Sequence, residues 1–140
     1  MDEYAQQLAL EAAAVTFICT RADSVGITRL VRGYLEFHEL FANSEVHVLL
    51  WGVVNDAQSK DVRAAVSRHT GIESIFETSY DFEITRKALQ HGSFVSKLDS
   101  KNVIAKEFEA IATMIHKHLE QQNKTPLQSK PKRSLLKRAA

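Results

Sequence analysis

The chain has little of what punctuates or cross-links a protein: one cysteine, two prolines and five glycines in 140 residues. A single cysteine excludes an intrachain disulfide, and Cys19 lies within an apolar run, where a buried thiol behaves as a small hydrophobe. That usage suits a reducing, cytoplasmic setting. With 44% hydrophobic residues and so little Pro and Gly, general disorder is excluded. No GxxxxGK[ST] phosphate loop, GxGxxG turn or GxSxG elbow occurs, so the familiar phosphate-cradling and nucleophile devices are absent from the chain. The histidines (His38, His47, His69, His91, His116 and His118) form no HExxH and have no cysteine partners, so no metal site is expected. His116 and His118 are two apart on a predicted helix and face different ways, and the six read as solvated or edge residues. Acids at Asp2 and Glu3 replace the basic start of a signal peptide, and no apolar run reaches transmembrane length.

What is present is unevenly charged. The net charge is +1, yet residues 121–140 hold Lys124, Lys130, Lys132, Arg133, Lys137 and Arg138 and no acid, leaving residues 1–120 at −5. One α/β domain over 1–120 and a flexible basic tail over 121–140 follow from this shift, together with both prolines falling in the tail. Basic tails of this kind meet nucleic acid or anionic surfaces.

Along the domain, helix-like and strand-like patterns alternate. Residues 2–13 favour a helix with acids in its first turn, and AVTFICT at 14–20 favours a strand. From Val25 to Phe41 apolar residues recur at three- and four-residue steps, with Asp23 or Ser24 as the cap. VHVLLWGVVND at 46–56 is nearly continuous in apolar residues over 46–54, the pattern of a strand buried on both faces of a parallel sheet. A loop over Asn55–Ser59, a helix over 60–69 capped by Ser59 and ended by Gly71, and a strand over 74–78 are expected next. Then come a helix over 82–91 ended by Gly92, a short extended segment over 93–98, and a last helix capped by Asp99 or Ser100. The whole is a mainly parallel sheet flanked by helices.

Ligands of open α/β sheets gather at the carboxyl ends of the strands. Asn55-Asp56 there is either a ligand seat, since an amide both donates and accepts, or a turn. Ser79-Tyr80-Asp81 carries the same two readings, with Asp81 also suited to cap the next helix. Lys60, Arg63, Arg68, Arg86 and Lys87 on the adjoining helices form either a phosphate-binding surface or a solvated face.

Four stretches together resemble the C-terminal half of the ParA/MinD family of deviant P-loop ATPases: LALEAAAVTFICTRADSVGITRLVRGYLE, VHVLLWGVVND, IFETSYDFEITRKALQHGSFV and NVIAKEFEAIATMIHKHL. The resemblance covers about residues 6–120. It implies a partial P-loop NTPase sheet, with Asn55 against adenine and Ser79, Tyr80 and Asp81 in the loop that packs on the base. It further implies a role in plasmid or chromosome segregation, a ParB-type partner, and a dimer with itself or with a full-length relative. Non-specific DNA binding would fall to Lys60, Arg86, Lys87, Lys130, Lys132, Arg133, Lys137 and Arg138, with cytoplasmic, nucleoid-associated localisation. The chain departs from the family in having Ser79 where a proline is usual. It also lacks the N-terminal half with the phosphate loop and Walker B aspartate, so ATP and Mg²⁺ would bind only with that half supplied. No catalytic residue is expected, and an unpaired sheet edge is expected where those strands would lie. A non-enzymatic α/β module that docks a related protein and touches nucleic acid through its tail is the alternative. A response-regulator-like domain fits less well, because Asp23, Asp56 and Asp81 lie scattered over different loops.

Overall fold

The computed structural model describes residues 3–124. Apolar β-branched runs become three strands, β1 (Val15–Arg21), β2 (Glu45–Val53) and β3 (Ile75–Ser79), all parallel in the order β1-β2-β3. The helices are α1 (Glu3–Ala12), α2 (Ser24–Phe37), α3 (Asp56–Thr70), α4 (Phe82–Gln90), α5 (Val95–Leu98) and α6 (Val103–Lys124). A 3₁₀ turn over His38–Phe41 extends α2, so the long amphipathic segment tightens at its end instead of remaining α-helical. The first four residues of the expected tail, 121–124, continue α6, and the rest of that tail lies outside the described residues.

Alternation along β2 sorts its side chains. Val46, Val48 and Leu50 face α2 and α3, where they meet Ile27, Leu30, Val62 and Val66 in the main core. Val48, Leu50 and Val66 are wholly buried. The opposite face carries His47, Leu49 and Trp51, and α6 crosses only part of it. The expectation of a strand buried on both faces is therefore corrected: Trp51 is 52% exposed, because among the described residues no helix covers the carboxyl-terminal part of that face. Cys19, on the same face of β1, is exposed rather than buried. Its groove neighbours still withhold enough water to push its thiol pKa upward.

Three boundaries move for identifiable reasons. The backbone of Asn55 is extended and its side chain accepts the Gln58 N–H at 2.9 Å, so α3 begins at Asp56, within the expected loop. Ser59, the expected cap, instead donates its hydroxyl to Glu77. Residues 93–98 form no strand: the Lys97 and Leu98 N–H groups bond to Phe94 O, closing the single turn of α5. Asn102, not Asp99 or Ser100, caps α6 by accepting the Ile104 N–H at 2.9 Å. Gly71, at φ +74°, ends α3 as the sequence suggests.

Gly26 sits where the chain turns from β1 into α2. A Cβ there would lie 2.4 Å from the Arg21 carbonyl oxygen and 2.8 Å from Thr20 Oγ1. His47 is 2% exposed, a core residue and not the solvated or edge one expected. Its ring forms a three-ring cluster with Phe17 and Phe76, at centroid distances of 5.1 and 5.7 Å, and the two phenylalanine rings are themselves 5.9 Å apart. Nδ1 lies 2.6 Å from Ser74 Oγ. Nε2 lies 3.2 Å from Glu45 Oε1, close enough for attraction but without hydrogen-bond alignment. Glu45 also receives His118 of α6, so one carboxylate joins the amino end of β2 to the far end of α6.

Two outcomes follow. Gly26→Ala should cost about 1–3 kcal/mol in urea unfolding, because backbone must shift to admit the methyl group. Burial lowers the His47 pKa in the folded chain; His118 adds to that and Glu45 opposes it. The unfolded chain then takes the proton more readily, so the contribution of His47 is complete above its ordinary value of 6.5 and is lost as pH falls below it. His47→Phe should flatten that part of the stability–pH curve; an unchanged slope would contradict it.

Candidate functional site at the carboxyl ends of the strands

A parallel sheet delivers every strand to the same rim, so three loops meet there: residues 21–23, 52–55 and 79–81. In the first, the Arg21 guanidinium lies 2.6 Å from Asp23 Oδ2, while Asp23 Oδ1 accepts the Gly26 N–H at 2.7 Å. The Gly26 N–H and then the Arg21 charge hold the Asp23 carboxyl below its usual pKa. In the second, Gln58 of α3 accepts the Val54 N–H at 2.8 Å and donates its amide to the Ala22 carbonyl, stitching the first two loops together. In the third, Glu107 of α6 takes both donors of Ser79, the backbone N–H at 2.8 Å and the hydroxyl at 2.6 Å.

These ties leave two adjoining clefts of different chemistry. One, of about 360 Å³, lies among Arg21, Trp51, Gly52, Gln58 and Tyr80. Gly52 has φ +81°, and a Cβ there would lie 3.7 Å from the Tyr80 ring, so the ring rests over bare backbone. Two half-exposed aromatic rings and a guanidinium are suited to a flat, polar-edged ring system. The other cleft, of about 280 Å³, is lined by Asn55, Ser59, Glu77, Ser79 and Glu107. Its Glu77 carboxylate is matched by Arg63 Nε at 2.5 Å, and the same guanidinium donates to the Ile75 carbonyl at 2.9 Å.

The four residues expected on the base side therefore do not share one cleft. Asn55 and Ser79 line the acidic cleft, with the Asn55 oxygen committed to capping α3 and both Ser79 donors committed to Glu107. Tyr80 alone reaches the aromatic cleft. Asp81 caps α4 through the Ile84 N–H at 3.1 Å, and together with Ser79 and Tyr80 it borders an apolar groove with Trp51, Phe82 and Phe108, so three of the four residues share that groove and Asn55 stands apart from it. Lys60 on α3 and Arg86 and Lys87 on α4 are exposed, and Arg86 is already paired with Glu83 at 3.2 Å. Lys130, Lys132, Arg133, Lys137 and Arg138 lie outside the described residues. Sequence reasoning missed Arg21, Trp51, Gln58 and Glu107. Arg21 closes β1 and Trp51 stands two residues before the end of β2, so both could have been found near strand ends; Gln58 and Glu107 act across 36 and 28 residues and carry no local signal.

Among the described residues no group of three or more His, Cys, Asp or Glu side chains is arranged to hold a metal ion, and no helix is long and apolar enough to cross a membrane.

Glu107→Ala should destabilise the chain by about 1–3 kcal/mol, since two Ser79 donors lose their acceptor. Amide exchange at Ser79 and Tyr80 should rise more than in the core; uniform exchange changes would show that Glu107 does not anchor this loop. No protein-family model matches the chain, and no curated protein matches it.

Proposed function

We propose that this chain is a ParA-like segregation unit that binds the base of a nucleotide in the aromatic cleft and contacts nucleic acid through its basic residues, without hydrolysing ATP by itself. The observation that carries this is the cleft between Trp51 and Tyr80 with Arg21 at its rim, formed where consecutive parallel strands end. Its residues fit a planar, hydrogen-bonding ring. They do not fit the triphosphate or Mg²⁺: the chain has no phosphate loop, and the neighbouring cleft presents the Glu107 carboxylate beside a Glu77 that Arg63 already matches. Like charge there disfavours phosphate, so no transferring phosphoryl group is stabilised by this chain alone. Arg21 would sit beside the base or ribose, while Gln58 holds the rim in shape by bonding two loops at once.

A second reading, a non-enzymatic module that docks a related protein, draws on the bare sheet face. Trp51, Phe82 and Phe108, each about half exposed, border an apolar groove of about 320 Å³. Such a surface suits a protein partner better than a nucleotide. The two readings part on nucleotide titration.

A fluorescent adenine nucleotide should bind saturably, release no phosphate above the blank, and lose roughly tenfold or more in affinity in Tyr80→Ala, as expected for one stacking contact of about 1–3 kcal/mol. No saturable binding by the wild-type chain would remove the nucleotide reading and leave the docking module. Neutralising Lys130, Lys132, Arg133, Lys137 and Arg138 together should weaken binding to duplex DNA of any sequence and flatten its salt dependence. If binding is unaltered, Lys60, Arg86 and Lys87 become the contact surface.

A further inference from the structure

The outer edge of β1 is the least protected part of the fold. Among the described residues β1 pairs only with β2, so its other edge offers an unpaired row of backbone donors and acceptors. Natural edge strands are guarded by lysine, proline, a bulge or brevity. β1 has seven residues, VTFICTR, with no lysine or proline, and its register with β2 is continuous. The opposite edge differs: β3 has five residues, carries Glu77, and joins β2 through an irregularity between Trp51 and Val53.

Beside the open edge runs a groove of about 780 Å³, between the edge and one stripe of α2. The stripe is Val25, Arg29, Gly33 and Phe37, spaced by four residues and continued by Phe41. Val25 and Phe37 are about half exposed, and a Cβ on Gly33 would meet nothing within 4 Å. The charges along this segment are segregated. Arg29 and Arg32 precede Gly33; Glu36 and Glu39 follow it. Arg32 and Glu36 stand four residues apart, yet none of the four makes an ion pair among the described residues.

We infer that a second copy of this chain seats on this edge, β1 pairing antiparallel with β1 of its twin about a two-fold axis to give a continuous six-stranded sheet. The same axis lays the two α2 helices antiparallel on one face, near their Gly33 residues. The basic half of each helix then meets the acidic half of the other, and Val25 meets the Phe37–Phe41 end. A two-fold interface is self-complementary by construction, and a helix that is basic in its first half and acidic in its second satisfies that condition. An unrelated partner strand would have no need of this charge order. The dimer leaves the strand-end clefts open, so it goes beyond the proposed nucleotide and DNA binding and stands or falls separately from them.

Sedimentation of the full chain should give twice its 15.8 kDa mass. The double variants Arg29→Glu/Arg32→Glu and Glu36→Arg/Glu39→Arg should each sediment as single chains, since like charges face one another. An equimolar mixture of the two should return to the doubled mass, an outcome that misfolded variants would not produce. A short bifunctional maleimide should join two chains through Cys19, which is exposed and next to the middle of β1. The inference is overturned if the wild-type chain sediments at 15.8 kDa at all attainable concentrations. It is equally overturned if the doubled mass survives in both variants, or if mixing them restores nothing.

Discussion

Burial of Val48 and Leu50 beneath α2 and α3 is the contact on which the remaining structure depends. Both side chains are fully withdrawn from water, and each contributes about 1.5–3 kcal/mol relative to exposure. They are adjacent on one face of the central strand, so β1, β3 and both crossover helices are fixed relative to a single row of atoms. The rim geometry follows from that row. Once β2 is held, Arg21 lies beside Trp51 in register, and Thr78 lies on its other side.

The second sheet face is finished differently. At its amino end it is closed by His47 clustered with two phenylalanine rings, with Glu45 reaching both His47 and the α6 residue His118. At its carboxyl end Glu107 binds Ser79, but the apolar surface of Trp51 and Phe108 remains wet. α6 is thus fastened by polar contacts at two places with an incompletely covered apolar surface between the sheet and its first turns. The same economy of cover leaves the outer edge of β1 open among the described residues. A three-stranded sheet has one interior strand and two edges, so a large share of its backbone and faces depends on neighbours the sheet does not supply.

Function in this chain is bound up with that incompleteness. The aromatic cleft offers a seat for a ring system, and the adjoining cleft is acidic where a nucleotide would need positive charge. The proposed role accordingly divides recognition from catalysis: base and nucleic-acid contacts reside in this chain, phosphate chemistry does not. Pairing through β1 supplies the missing sheet neighbour without obstructing the strand-end rim, because lateral growth of a sheet leaves the ends of its strands free.

The α/β class, the three strands, and the caps at Asp23, Asp81 and Gly71 were legible along the chain, because apolar spacing and cap chemistry act within a few residues. Asn55 caps α3 for a similarly local reason: its oxygen reaches an N–H three residues on. Residues 93–98 misled because a short apolar run has the same composition in a strand and in a helical turn, and only a paired neighbour makes it a strand. His47, Gln58 and Glu107 could not be placed from sequence at all. Their partners, Ser74, Ala22 and Ser79, lie 27 to 36 residues away. Apart from residues 93–98, sequence alone therefore determined which segments form strands and helices, since those preferences are local. Which faces stay wet, which acids are matched and which edge stays open were decided by tertiary structure, because each depends on what distant elements cover.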